Sequence, residues 1–416
     1  MATSNPARKR LNNRRNSRVY GTIVAVANQL AGGILSTSVV QSGDSAPPHR
    51  EAVDLPRGAV MPAIDTAAAL RGAVEATLSD FLAREAASLE SADPALGALA
   101  SLARSYVLAS GKRLRPTFGY WGWRGVADSA PALETVLPAL AGLELLHAFA
   151  LVQDDVMDGS ATRRGRPTAH EVLAAEHSAA GRAGSAGRFG SAGAVLLGDL
   201  LLVWADRMQL QAKVSAAALL AARRHYDEMR IATIAGQYLD VLSDAESDAW
   251  SIERALRVAR LKTAGYTVTG PLLLGAALVD GEPDGSVAGA YTVYGEAVGE
   301  AFQLRDDLLG VFGDPLITGK PAGEDLRTGK PTVLLLLARQ LATAAQRNAL
   351  RELPDDAADI ARLTDVVAET GAIDAVEAMV EHRITTALDA LVGAPIGPAA
   401  RSALADLAIT ATSRRA

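Results

Sequence analysis

Cysteine is absent from the 416-residue chain, so it carries no disulfide and no thiolate-ligated zinc or iron–sulfur centre. The absence fits a reducing compartment, and the cytoplasm is the expected location. Aromatic residues are scarce, at 4%, while hydrophobic residues overall reach 49%. Alanine, leucine and valine must therefore fill the interior, and Ala-rich runs favour a buried all-helical core. Excess positive charge is lacking too: 41 Lys and Arg against 47 Asp and Glu give a formal charge of −6. That balance argues against a general nucleic-acid binder, and no nucleic-acid partner is expected. Nor is there a Walker-type phosphate loop. The Gly-, Ser- and Ala-rich stretch 181–193 contains Arg182 and Arg188, but no Gly-Lys-Ser/Thr ends it, and it reads as a flexible surface loop.

Residues 1–60 differ from the rest. Arg8, Lys9, Arg10, Arg14, Arg15 and Arg18 precede a moderately apolar run over 21–40, which Asn28, Gln29, Ser36, Thr37 and Ser38 interrupt. Such a run makes a poor membrane span. The segment reads as a disordered N-terminal extension, with an interfacial role or a true start at Met61 as alternatives. From 61 to 416 the apolar spacing is helical, and one helical domain is expected there.

The chemistry concentrates on residues 147–158, His-Ala-Phe-Ala-Leu-Val-Gln-Asp-Asp-Val-Met-Asp. Leu137, Leu140, Leu143, Leu145 and Leu146 precede it with the pattern of a buried helix. Such a helix does not carry carboxylates unless their charge is compensated. Asp154 and Asp158 project from one face about a turn apart. Their hard oxygen ligands suit Mg²⁺; a solvated helix end is the competing reading. A second carboxylate helix over 291–310 carries Gln303, Asp306 and Asp307 at spacings of three and four, so the three can share a face.

Cations accompany both groups. Lys112, Arg113 and Arg115 lie in a Gly-Lys-Arg-Leu-Arg-Pro turn at 111–116, and Arg163, Arg164 and Arg166 follow the first acidic group. Lys262 and Thr263 interrupt an apolar helix, where a buried Lys needs an anionic partner. Lys320 and Lys330 occupy two Gly-Lys-Pro turns, with Glu324 and Asp325 between them. Two carboxylate groups facing across a bundle, with cations around them, fit ionisation of a diphosphate leaving group on Mg²⁺. An apolar interior then shields a carbocation from water.

In this order and spacing the sequence resembles the trans-isoprenyl diphosphate synthases of the polyprenyl synthetase family, from about residue 65 onward. The matching stretches are 111–116, Asp-Asp-Val-Met-Asp at 154–158, Arg-Arg-Gly-Arg-Pro at 163–167, Lys-Thr at 262–263 and Phe-Gln-Leu-Arg-Asp-Asp at 302–307. The resemblance implies an all-α fold, a single large helical bundle around a central active-site cavity, and a homodimer. It assigns Asp154, Asp155, Asp158, Asp306 and Asp307 to a cluster of up to three Mg²⁺ ions. Lys112, Arg115, His147 and Arg164 are implied for isopentenyl diphosphate. Arg163, Lys262, Lys320 and Lys330 are implied for the allylic diphosphate (dimethylallyl, geranyl or farnesyl), with Thr263 and Gln303 as dipoles near the cation.

Two features refine the expectation. The second motif often reads DDxxD in the family, but Gly310 stands at its fifth position here. Phe149 lies five residues before Asp154, where a ring can floor the tunnel for the growing chain. That pattern resembles short-chain synthases making the C20 geranylgeranyl diphosphate. A packing Phe is the plainer reading, and farnesyl or longer products are alternatives. A class I terpene cyclase and a head-to-head synthase are disfavoured because neither needs Lys112, Arg115 and His147. A di-iron protein needs a second Glu-x-x-His beside Glu144 and His147, and there is none. A non-catalytic partner subunit would not need both acidic groups.

Overall fold

The computed structural model describes residues 66–109, 111–127, 132–246, 249–313 and 323–412. The N-terminal extension and Lys320 lie outside the described residues. The chain divides into two units, Met1–Ala69 and Leu70–Ala416; of the first, only the opening turn of the first helix is described.

Helical periodicity produces helices almost throughout, as expected. In chain order they are α1 (Thr66–Ala92), α2 (Gly97–Val107), α3 (Leu114–Val126), α4 (Leu133–Met157), α5 (Ala169–Ala179), α6 (Ala186–Gln209) and α7 (Ala216–Ala245). Then come α8 (Ile252–Val258), a π-helix (Ala259–Thr269), α9 (Gly270–Asp280) and α10 (Gly285–Phe312). The chain ends with α11 (Glu324–Thr328), α12 (Val333–Leu341), α13 (Ala344–Ala349), α14 (Ala357–Glu369), α15 (Ala372–Leu391) and α16 (Pro398–Thr412). Among the described residues the only strands are β1 (Thr162–Arg163) and β2 (Arg166–Pro167), a two-stranded antiparallel hairpin.

The carboxylate helix α4 is the centre of the core. Leu140, Leu143, Leu145 and Val152 are fully buried on it, and it packs against α6, α3 and α2. By length and apolarity α4 and α6 are each long enough to cross a membrane, but most of the apolar residues of α4 are buried inside the protein.

Two elements differ from the sequence reading. The stretch 181–193 is not a loop throughout, because α6 starts at Ala186, capped by Ser185 accepting from the Arg188 N–H. Its glycine content reflects close packing: a Cβ on Gly190 would lie 2.2 Å from the His170 carbonyl oxygen. The apolar run 252–278 is interrupted by the π-helix, which carries Lys262 and Thr263. Such segments occur often at functional sites.

Candidate active site

Three elements converge on Asp154. From α4, its carboxylate accepts Lys262 Nζ of the π-helix at 3.0 Å and Gln237 Nε2 of α7 at 3.0 Å through one oxygen. Its other oxygen accepts Arg163 Nη2 of β1 at 3.0 Å. Burial pushes this carboxyl up, but the Lys262 and Arg163 cations outweigh burial and hold it at about 2. Asp154 is therefore a fixed anion. Asp158, at the exposed end of α4, is shifted up by burial and by the Asp154 charge.

Lys262 finds the anionic partner its burial demands, and a second one besides. Asp240 on α7 accepts Lys262 Nζ at 2.6 Å and Lys330 Nζ at 2.9 Å through the same oxygen. Burial raises the Asp240 carboxyl, and the two lysines more than reverse that. Lys330 is likewise held protonated, burial being outweighed chiefly by Asp240. Asp240 and Gln237 thus belong to the site. The signal for them was the polar pair at three-residue spacing on an otherwise apolar face of α7. What that spacing cannot tell is which cations they meet.

The second acidic group faces this network from α10. Thr263 Oγ1 donates to Gln303 Oε1 at 2.8 Å, and Gln303 Nε2 donates to Asp307 Oδ1 at 3.0 Å. Asp307 Oδ2 accepts the Val333 N–H at 3.1 Å at the start of α12. Burial first, then the Asp325 charge, pushes Asp307 up to about 7. Asp306, next along α10, is half-buried. The expectation that Asp155 and Asp307 stand beside a metal meets a different arrangement. Asp155 is fully buried and accepts Arg163 Nε at 2.6 Å, while Asp307 is buried against Val333. Each is turned from its neighbour, Asp154 or Asp306, because residues adjacent on a helix do not share a face; of the three residues expected on one face of α10, Gln303 and Asp307 pair and Asp306 is not part of that pair.

Close backbone approach makes the convergence possible. A Cβ on Gly299 of α10 would stand 2.1 Å from Ala264 Cβ and 2.3 Å from Ala264 Cα, so α10 lies directly on the π-helix. Glu300, its neighbour, is buried and accepts Arg260 Nη1 and Arg383 Nε, each at 2.5 Å.

The cations divide into two groups at the hairpin. Arg164 and Gly165 form its two-residue turn with φ of +52° and +72°. That left-handed pair matches the type I′ turn that suits the twist of a hairpin, at some cost for a non-glycine residue. Arg163 faces the aspartates of α4. Arg164 Nη1 lies 4.0 Å from where a Cβ on Gly111 would be, beside the Gly-Lys-Arg turn. Burial, then the Arg163 charge, lowers Arg164 from the usual guanidinium range.

Arg113, also at positive φ (+50°), fastens that turn. Its guanidinium donates to the Val107 carbonyl at 3.0 Å, the Ala109 carbonyl at 3.0 Å and Glu144 Oε2 at 2.9 Å. Glu144 therefore serves the turn and not a metal. Lys112 is left exposed, whereas Arg115 is buried, donating to Thr267 Oγ1 at 3.0 Å with its guanidinium 4.2 Å over the Tyr266 ring. Neither Tyr266 nor Thr267 stood out in the sequence.

His147 Nδ1 and Arg115 Nε are buried without a hydrogen-bond partner among the described residues. Burial, then Arg115 and Arg164, drives His147 well below its ordinary value, so the ring is neutral. Orphaned polar atoms beside Arg115 and Arg164 fit a polyanion that supplies the missing acceptors. At the aspartates, the donors are oxygen only, as a hard divalent cation requires. Among the described residues no three acidic or imidazole groups gather as a metal cage, and Lys262, Lys330 and Arg163 are ion-paired with Asp154, Asp155 and Asp240.

An apolar cavity of about 380 Å³ lies between α4 and α7. Phe149 lines it with Leu146, Leu202, Ile231, Ile234 and Tyr266, and Arg223, Asp227 and Arg230 also border it.

Known proteins resemble this chain over most of its length. The polyprenyl synthetase family model matches residues 97–370. The geranylgeranyl diphosphate synthase of Mycobacterium tuberculosis is 34% identical over 294 residues, covering 70% of this chain and 77% of that protein. The geranylfarnesyl diphosphate synthase of Aeropyrum pernix is 31% identical over 299 residues, covering 70% and 85%. Among solved structures, the geranylgeranyl pyrophosphate synthase of Corynebacterium glutamicum, complexed with isoprenyl diphosphate and magnesium, is 40% identical with a TM-score of 0.78. That match covers 83% of this chain and 99% of the other.

Proposed function

We propose, from the premise that the chain belongs to the polyprenyl synthetase family and is a trans-prenyltransferase, that it condenses isopentenyl diphosphate with an allylic diphosphate to give geranylgeranyl diphosphate. The observation that carries the reading is the presence of two differently built anion sites on the same two elements, α4 and the π-helix. One is formed by carboxylates bridged with Lys262 and Lys330, and the other by Arg115, Arg164 and the neutral His147.

At the first site Asp154, Asp158 and Asp306 hold Mg²⁺, up to three ions with the allylic diphosphate. Asp155 and Asp307, buried against Arg163 and Val333, fix the helix ends that present them. Bound there, Mg²⁺ neutralises charge developing on the departing diphosphate. Lys262, Lys330 and Arg163 now spend their charge on Asp154, Asp155 and Asp240, and they turn to the diphosphate oxygens when it binds. Lys320 is assigned the same task.

At the second site Lys112, Arg115, Arg164 and His147 Nδ1 hold the isopentenyl diphosphate, which supplies the partners that His147 and Arg115 lack. The allylic C1–O bond breaks and the isopentenyl double bond attacks C1. The resulting cation then loses a proton to the released diphosphate. Thr263 and Gln303, joined by a hydrogen bond, present their oxygen dipoles to the transient cation. The apolar cavity takes the tail and keeps water out.

The C20 product rests on Phe149 in the cavity wall and on relatives named for that product. Relatives named for farnesyl and geranylfarnesyl products make chain length the first thing to measure. The cytoplasm is the proposed place of action, and residues 1–60 are proposed to lie outside the catalytic domain, since the family match begins at residue 97. A homodimer is also proposed, supported by apolar stripes on α6 and α7. Purified protein, Mg²⁺ and labelled isopentenyl diphosphate are to be incubated with dimethylallyl, geranyl or farnesyl diphosphate, and the products sized. A predominant C20 product supports the reading. No elongation with any primer removes it.

A further inference from the structure

Tyr266 of the π-helix belongs to two places at once. The Arg115 guanidinium lies over its ring, 4.2 Å from the centroid, and the His147 ring stands 6.2 Å from it, tilted by 45°. The same half-buried ring borders the apolar cavity beside Leu146 and Phe149, a cavity that neither Arg115 nor His147 lines. Thr267, the next residue, accepts Arg115 Nη2 at 3.0 Å and makes no contribution to the cavity wall. A guanidinium loses rotamer freedom when it is fixed, so a group that holds it in advance lowers the cost of binding an anion there. The ring under Arg115 is such a group. On its cavity side, however, it has no protein atoms to pack against, and the dispersion contacts that would hold it still are missing.

We propose that Tyr266 is a positioning residue for Arg115, and that it links isopentenyl diphosphate affinity to the length of the allylic tail in the cavity. The proposal rests on the reading of Arg115 and His147 as the isopentenyl diphosphate site. A tail that fills the cavity packs against the free side of the ring and holds it under the guanidinium, so part of the ordering cost is met before the second substrate arrives. A dimethylallyl group leaves most of the cavity empty and gives the ring less support. The coupling is reciprocal, so bound isopentenyl diphosphate favours the longer primer by the same factor. A partly grown chain is thereby extended in preference to the start of a new one, until Phe149 stops it.

The test is calorimetric titration of isopentenyl diphosphate into the full chain with Mg²⁺ and either dimethylallyl or farnesyl thiolodiphosphate, analogues whose C1–S bond does not ionise. Wild type is expected to bind isopentenyl diphosphate about fivefold more tightly beside the farnesyl analogue. Tyr266→Leu and Tyr266→Met both lack the ring, so either one that folds by helical circular dichroism suffices. Each is expected to bind about tenfold more weakly and equally with the two analogues. Tyr266→Phe keeps the ring and is expected to preserve both the affinity and the tail effect. Thr267→Val removes the other hold on Arg115 without touching the cavity, and is expected to weaken binding by the same factor with both analogues, leaving the tail effect intact. Equal wild-type affinity beside the two analogues overturns the proposal. So does a folded Tyr266→Leu or Tyr266→Met that binds as wild type does or keeps the tail effect. Wild-type protein that binds no isopentenyl diphosphate with either analogue overturns the parent reading along with it.

Discussion

Phe149 shares one cavity with Ile231, Ile234 and Tyr266, while Asp154 lies about 7.5 Å further along the same helix at 1.5 Å per residue. A chain growing from a diphosphate held near Asp154 therefore meets the Phe149 ring within its length. Replacing it by Ala opens space where an apolar tail can continue, and Phe149→Ala is expected to shift the product upward by at least one five-carbon unit. Product sizing with farnesyl diphosphate as primer checks this; an unchanged distribution defeats it. The stability cost stays below the about 3–5 kcal/mol of a fully buried Phe→Ala change, because the ring already borders a cavity. At this scale the sequence made the charged residues legible, because a carboxylate or lysine on an apolar helix must be compensated. Lys262 is the clearest instance, since its burial alone demanded an anion. Tyr266 and Thr267, which hold Arg115, were not legible in the same way. Their roles depend on which element arrives beside them, and no spacing along one helix encodes that.

The π-helix is the element that most shapes the site. Its widened turns carry Lys262 and Thr263 toward α7 and α10 while α8 and α9 continue on either side. Periodicity over 252–278 announced a buried helix but could not announce the extra residue per turn, because an apolar run looks the same in both. Contact between backbones holds the segment in place. Gly299→Ala puts a methyl group 2.1 Å from Ala264 Cβ, so α10 and the π-helix must separate. The expected loss is about 1–3 kcal/mol, the usual cost of overpacking. Urea unfolding checks it, with a lowered midpoint at unchanged slope as the expected outcome. Because separation also pulls Thr263 from Gln303, turnover should fall more than substrate affinity does. A variant as stable and active as wild type contradicts the clamp. The start of α6 carries the same lesson, since Gly190 and Gly193 were read as flexibility and serve instead as contact points with α5.

Over the whole molecule, the all-α class and the pairing of two acidic helices were legible in composition and motif order, whereas the surface proposed here for a second copy was not. It emerges only when exposure is laid on the helices. On α6, Phe189, Leu196, Val203 and Leu210 recur every seven residues and are 40%, 62%, 57% and 60% exposed. On α7, Ile231, Ile234, Tyr238 and Val241 follow at spacings of three and four and are 68%, 56%, 68% and 43% exposed. Stripes of this period are what a helix presents to another helix, and large apolar side chains in such number rarely stay in water. Ile231 and Ile234 also line the cavity, so whatever covers them closes its outer wall. A second copy of the chain is the proposed cover, and two consequences follow together. Sedimentation is expected to give a dimer for wild type, and Ile231→Glu with Ile234→Glu is expected to shift it to monomer with helical circular dichroism retained. The monomer should also lose product-length control, because water and a glutamate now enter the wall that confines the tail. A wild-type monomer at micromolar concentration defeats the dimer outright. A dissociated variant with unaltered products would leave the interface standing but detach it from the cavity.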